Sequence, residues 1–183
     1  MSIKAVIFDL DGTITQPYFD FDTIREEMGL ERNSGPVLEA MEKMTAAQRR
    51  RAEEILHFHE QKAVTESVLN AGAKQTLSAL RKAGIRIGVL TRNKRSNALA
   101  IAQKHNLRFD TIVDREDGPV KPDAFGVLRI CEQFGVRPEE TLLVAIIFLI
   151  YFAQRQQGLL RCCWPIANRL RDLANMRIFV LKR

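Results

Sequence analysis

The stretch VIFDLDGTIT, Val6–Thr15, determines the fold that we expect for this chain of 183 residues. The largely apolar run KAVIF (4–8) is followed by Asp9, Asp11 and Gly12. This pattern is typical of a buried strand that leads into a turn. Residues two apart on a strand point the same way, so both carboxylates are expected close together. Two such anions repel unless a cation separates them, and Mg²⁺ prefers oxygen ligands of this kind. The alternative is a capped junction between strand and turn, where Asp and Gly are common.

Strands and helices alternate along the rest of the chain. Three further strands are predicted at IRIGVL (85–90), DTIV (110–113) and TLLV (141–144). Helices are predicted at AGAKQTLSALRKAG (71–84), SNALAIAQKHN (96–106) and PDAFGVLRICEQFG (122–135), the last of them beginning at its proline. This alternation predicts the α/β class, with a parallel sheet covered on both faces. In such sheets the ligand lies at the carboxyl ends of the strands.

Two more strand ends carry polar residues that suit an anion. Thr91 follows the second strand, ahead of Arg92 and Asn93, and a hydroxyl before a helix N-terminus can contact a phosphate. A helix-capping role is the alternative for this threonine. Lys121 follows the third strand and precedes Pro122. A cation at this place would bind a phosphoryl oxygen and offset its charge, whereas most loop lysines are merely solvated.

These motifs together resemble those of the haloacid dehalogenase superfamily phosphatases. FDLDGT matches the family's first motif, Thr91 in VLTRN the second and Lys121 in VKPD the third, in the family's order and over about residues 3–144. The resemblance implies a doubly wound α/β core. It also implies a small helical cap inserted between the first and second motifs, where the chain is polar and helix-rich. We therefore expect a core at 1–15 and 71–153, a helical cap at 16–70 and an atypical tail at 154–183.

The resemblance also implies a mechanism and its residues. Asp9 would be the nucleophile that forms an aspartyl-phosphate, and Asp11 the general acid and base. Mg²⁺ would be held by Asp9, by Asp11 through its carbonyl, and by an acid of a fourth motif. Thr91 and Lys121 would bind the transferring phosphoryl group. Three neighbours, Gly12, Arg92 and Asn93, are assigned to substrate binding, and the expected substrate is a small phosphorylated metabolite, such as a sugar phosphate or a phosphoglycolate-like acid.

The charge distribution argues against polyanion binding by residues 1–153, which we call the body of the chain. The net charge is +6, yet residues 1–153 carry 21 basic and 21 acidic side chains, so the whole excess lies in the tail. We expect no nucleic acid or membrane partner for the body. The sequence starts without a secretory signal pattern and has three cysteines, so a cytoplasmic protein with reduced thiols is expected. The oligomeric state stays open.

The stretch LLVAIIFLIYFAQRQQGLLRCCW (142–164) departs from the family pattern. After TLLV the family's fourth motif should supply Gly-Asp and a second acid, but this chain has AIIFLI, and no carboxylate lies between Glu140 and Asp172. A membrane span is one explanation, although twelve apolar residues are fewer than the roughly 20 that a bilayer requires. A second explanation is a pseudoenzyme whose basic tail binds a partner, a membrane surface or nucleic acid.

The third explanation is a slip of the reading frame. Restoring one G after the Val144 codon forces Gly at the next position, and the shifted codons at positions 146 and 150 then encode Asp, Asn, His or Tyr. One permitted choice of codons reads GDYLFDLFCATAAG in place of AIIFLIYFAQRQQG. That reading supplies the missing motif and a helix, and it explains the foreign charge and the Cys-Cys-Trp cluster of the tail. We favour this explanation over the other two.

Overall fold

Within the residues that the structure describes, 2–32 and 34–145, four strands form one parallel sheet. The structure is a computed structural model. The strands are β1 (Ala5–Phe8), β2 (Arg86–Leu90), β3 (Thr111–Val113) and β4 (Thr141–Val144), in the spatial order β3-β2-β1-β4. β1 is central and pairs with β2 and β4, with Phe8 opposite both Val89 and Val144. The predicted α/β class with a parallel sheet is thereby confirmed.

Helices cover the sheet and bury its apolar side chains. The helices of this part are α4 (Ala73–Lys82), α5 (Arg95–His105) and α6 (Phe125–Phe134). All four residues of β1 are buried, as expected for a strand with both faces covered. One face packs against α6, and its cluster consists of Ala5, Ile7, Leu90, Val113, Ile130 and Phe134. α4 contacts β2, and α5 contacts β3.

Residues Tyr18–Ser67 form a separate compact unit. It contains α1 (Phe21–Glu27), α2 (Val37–Glu42) and α3 (Ala46–Glu66). It has a core of its own, built from Ile24, Val37, Met41, Ala52 and Leu56. Thr45 and Gln48 close the start of α3 with a reciprocal capping box, which satisfies two N–H groups that a helix otherwise leaves open. That this unit acts as a cap stays a prediction.

The last predicted helix begins later than expected. The sequence places its start at Pro122, but α6 begins at Phe125. The carboxylate of Asp123 accepts the main-chain N–H of Phe125 at 2.7 Å, so the preceding residues form a turn instead of a first helical turn. The predicted end is right, because Gly135 follows α6 with a φ of 60°, a conformation that favours glycine.

None of the helices among residues 2–32 and 34–145 is long and apolar enough to cross a membrane. Cys131 is a buried free thiol. The predictions for Ile146 and beyond, including the rest of the apolar run after β4, the tail at 154–183 and the shifted frame, lie outside the described residues.

Glu140 anchors the start of β4 to the start of β1. Its carboxylate lies 2.7 Å from the Lys4 ammonium, and it also accepts the N–H of Arg137 at 3.1 Å. The Lys4 contact, followed by those of Arg137, lowers the pKa of Glu140 from its ordinary 4.5 to about 2. A carboxyl group whose pKa is depressed on folding stabilises the fold above its unfolded pKa and loses that contribution as the pH falls towards the folded value.

The substitution Glu140→Gln is therefore expected to lower the melting temperature at pH 7. The difference from wild type should shrink as the pH falls from 4.5 to about 2, because the wild-type carboxylate becomes protonated there. Thermal unfolding at a series of pH values measures this. Glu132→Gln, at a side chain that is 71% exposed, is the control with little expected effect. A Glu140→Gln deficit that stays constant at every pH would contradict the assignment.

Candidate active site

Asp9 lies directly beyond β1, at the carboxyl edge of the sheet. Its main-chain N–H donates to the Val144 carbonyl at 2.9 Å, so pairing with β4 fixes its backbone. Its side-chain Oδ1 accepts the N–H of Leu10 at 2.8 Å. The residue is 5% exposed. The sheet thus holds a carboxylate in one orientation at a strand end.

Lys121 reaches this carboxylate from the loop after β3. Its Nζ lies 2.6 Å from Asp9 Oδ1 and donates to the Leu90 carbonyl at 2.9 Å. Both side chains of the pair are less than a tenth exposed. The structure therefore brings together the ends of β1 and β2 and the loop that follows β3. A pair buried to this degree is costly to break, because either partner alone would be an uncompensated charge.

Asp11 lies in a turn and not on a strand as expected. The prediction assumed that both aspartates lie on a strand, but β1 ends at Phe8, and Leu10–Ile14 form a wide turn. Gly12 has a φ of 80° within it, which a residue with a side chain rarely adopts. The prediction that Asp9 and Asp11 point the same way along a strand is therefore wrong. Instead, Asn93 Nδ2 donates to Asp11 Oδ2 at 3.3 Å.

Thr91 and Asn93 build the end of β2. Thr91 is 2% exposed, and its Oγ1 accepts the N–H of Asn93 at 3.0 Å. It does not cap α5, whose first residue is Arg95. Asn93 also accepts the N–H of Lys94 and the amide of Asn97, each at 2.8 Å. Asn93 is thereby held toward Asp11, and its assigned role in substrate binding stays a prediction.

Arg92 and Gly12, the other two assigned substrate-binding residues, lie in the same part of the fold. Arg92 Nη1 donates to the Lys121 carbonyl at 3.2 Å, so it supports the loop that carries the lysine. Gly12 is buried in the turn. The catalytic, substrate-binding and metal roles assigned from the resemblance stay predictions for all of these residues.

Two residues of the site were missed by the sequence reasoning. Asp114, directly after β3, accepts the N–H of Arg95 at 2.6 Å, so the first N–H of α5 is already occupied. Its position after a strand was a usable signal. Asn70 lies far from the motifs in sequence, and its amide donates to carbonyls of the turn after Asp9. No local pattern marks it.

The described donor groups do not complete a magnesium site. Asp9 and Asp11 supply carboxylates, but residues 2–32 and 34–145 contain no group of three or more His, Cys, Asp or Glu side chains that could hold a metal ion. β4 ends beside Asp9, whose N–H donates to the Val144 carbonyl, and the next residues in the sequence are Ala145 and Ile146. Magnesium needs about six oxygen ligands in near-octahedral geometry, and apolar side chains supply none.

The known proteins with similar sequences include several hydrolases. The sequence profile of haloacid dehalogenase-like hydrolases matches residues 3–144. An uncharacterized hydrolase of Saccharomyces cerevisiae is 32% identical over 152 residues, which cover 80% of this chain and 70% of that protein. A phosphoglycolate phosphatase of Nitrosospira multiformis is 26% identical over 200 residues, with 94% and 88% covered.

Solved structures show the same fold. A hydrolase from Pseudomonas syringae has a TM-score of 0.69 at 20% identity, with 84% of this chain and 80% of that chain covered. A beta-phosphoglucomutase from Clostridium difficile has a TM-score of 0.63 at 20% identity, with 77% and 75% covered. On the match over residues 3–144 and the yeast relative, the chain belongs to the haloacid dehalogenase-like hydrolase family.

Proposed function

We propose that this chain has the architecture of a phosphomonoester hydrolase that acts through an aspartyl-phosphate at Asp9, and that its Mg²⁺ site is incomplete. The observation that carries the proposal is the buried contact between Asp9 Oδ1 and Lys121 Nζ at 2.6 Å. The contact supports the proposal because it joins a candidate nucleophile to a candidate phosphate-binding cation, at the sheet edge where such folds bind ligands. The phosphoglycolate phosphatase relative supports a small phosphorylated metabolite as the substrate.

In the first step Asp9 would attack phosphorus. A bond forms between its carboxylate oxygen and phosphorus while the bond to the leaving oxygen breaks, and Asp11 gives a proton to that oxygen. In the second step water attacks the aspartyl-phosphate, Asp11 takes a proton from the water, and Asp9 leaves as a carboxylate. The Asn93 contact would keep Asp11 in place for both proton transfers.

Lys121 can serve the phosphoryl group without leaving Asp9. A lysine ammonium has three hydrogens, and the described contacts to Asp9 and Leu90 use two of them. The third could donate to a phosphoryl oxygen, and the positive charge would offset the charge that develops there. Thr91 is buried at the end of β2, directly after the Leu90 carbonyl that Lys121 bonds, and is the second candidate for this contact.

The rival proposal is an inactive family member whose basic tail binds a partner, a membrane surface or nucleic acid. It depends on residues 154–183, which lie outside the described part of the chain. The hydrolase relatives do not favour it. A binding assay with and without residues 154–183, at several salt concentrations, separates it from the enzyme, since binding to a polyanion weakens steeply with salt.

Asp9→Asn is expected to abolish phosphatase activity in a protein with a restored fourth motif. An amide cannot attack phosphorus or form the acyl-phosphate. Hydrolysis of p-nitrophenyl phosphate measures this. Asp20→Asn is the matched control, because Asp20 caps α1 at an exposed position and asparagine caps helices equally well. Activity that survives Asp9→Asn would exclude Asp9 as the nucleophile.

Lys121→Met is expected to weaken vanadate binding and to destabilise the fold. The substitution leaves the buried Asp9 carboxylate without its cation, which typically costs about 3–5 kcal/mol. Calorimetric titration with vanadate and denaturant unfolding measure the two effects, with Lys82→Met on the exposed side of α4 as the control. Asp9→Asn in the Lys121→Met background should recover part of the stability. Unchanged vanadate affinity would place Lys121 outside the site.

Insertion of one G after the Val144 codon is expected to give Mg²⁺-dependent phosphatase activity and a higher melting temperature. It would restore a Gly-Asp turn and the helix that follows. Ile146→Asp alone should restore neither, because the residues after it remain out of frame. Both genes are expressed and assayed side by side. A fully active chain as it stands, or no gain after the insertion, would contradict the reading-frame explanation.

A further inference from the structure

A single side-chain amide holds most of the turn that follows the candidate nucleophile. Asn70 Nδ2 donates to the carbonyls of Gly12 at 3.0 Å, Thr13 at 2.8 Å and Thr15 at 2.9 Å. The main-chain N–H of the same residue donates to the Ile14 carbonyl at 2.9 Å. One residue therefore contacts four consecutive carbonyls, from Gly12 to Thr15.

The turn needs an external donor because it is not a regular helix. Asp11 and Gly12 have non-helical backbone angles, so the repeating pattern that pairs carbonyls inside a helix is broken there. Within the turn, Thr15 returns its N–H and its hydroxyl to the Leu10 carbonyl, at 3.1 and 3.3 Å. Of the carbonyls between these two residues, those of Gly12, Thr13 and Ile14 accept hydrogen bonds from Asn70. Unpaired carbonyls at buried positions are costly, and Asn70 supplies the missing hydrogens.

A short antiparallel pairing keeps Asn70 in register with the turn. Thr15 forms a bridge with Leu69, and the N–H of Gln16 donates to the Val68 carbonyl at 2.8 Å. Together with the bond from Asn70 N–H, these contacts pair residues 14–16 with residues 68–70. The amide of Asn70 is therefore delivered to the turn by backbone pairing and does not depend on a flexible loop.

We infer that Asn70 is a positioning residue, which fixes the turn that carries Asp11 relative to Asp9. Asparagine suits the place, because its amide nitrogen has two hydrogens on a short side chain that three nearby carbonyls can share. Aspartate has the same shape and no hydrogen to donate. The effect on the chemistry rests on the proposed phosphatase function, whereas the effect on the order of the turn does not.

The test compares Asn70→Asp with wild type in the full chain. Asn106→Asp is the matched control, since it makes the same chemical change at the exposed end of α5. Hydrogen exchange is followed at the amides of Thr15 and Gln16, with Ile7 in the central strand as the internal reference. Loss of the hydrogen bonds from the Asn70 side-chain amide should speed exchange at both main-chain amides by about tenfold or more, with little change at Ile7.

The second measurement is the affinity for tungstate, a phosphate mimic, well below the melting temperature. Asn70→Asp should weaken it severalfold, since a loosened turn no longer holds its backbone and Asp11 in one geometry relative to Asp9. A purely stabilising residue would leave the folded site unchanged. Asn70→Ser, which keeps one donor, should give intermediate values and serves if the aspartate variant does not fold.

The outcomes separate the two proposals. Exchange rates at Thr15 and Gln16 that equal those of wild type would overturn the positioning role, as would tungstate affinity that is measurable and identical in both proteins. Wild-type protein that binds no tungstate would count against the phosphate site, and the exchange rates would then still decide whether Asn70 orders the turn.

Discussion

The buried ion pair between Asp9 and Lys121 is the constraint on which the rest of the site depends. Neither charge can be removed from water alone without a large cost, so the pair forces the loop after β3 onto the end of β1. The same lysine bonds the last carbonyl of β2, which joins the third strand end to the other two. This arrangement fits the phosphoryl transfer that we propose, because both charges are held in place before a substrate binds.

Further side-chain contacts order the segments around the pair. Asn93 holds the Asp11 carboxylate, Asn70 holds the carbonyls around it, and Asp114 takes the first N–H of α5. Each of these side chains is short and polar. Asn93 and Asp114 come shortly after β2 and β3, and Asn70 comes shortly after the unit Tyr18–Ser67. Within the described residues the fourth strand contributes backbone contacts, since it pairs with β1 and its Val144 carbonyl accepts the Asp9 N–H. The missing fourth-motif acid in the sequence falls directly after this strand.

Much of the fold could be predicted because its signals are local. Apolar runs mark the strands, and glycines mark the ends of α4 and α6. The convergence of Asp9 and Lys121 followed from the rule that parallel strands place their carboxyl ends together. The start of α6 could not be predicted, because the Asp123 bond to Phe125 competes with the proline signal. Asn70 and the placement of Asp11 depend on contacts between residues distant in sequence, for which a single chain gives no pattern.

The most direct test of the central claim is the detection of the covalent intermediate. The full chain, as it stands and with the frame restored after Val144, is mixed with a radiolabelled phosphomonoester, quenched in acid and mapped by peptide. We expect a hydroxylamine-labile phosphoryl group on the peptide that contains Asp9, with a higher yield from the restored protein. A phosphoryl group on another residue, or turnover without any phosphorylated protein, would contradict it.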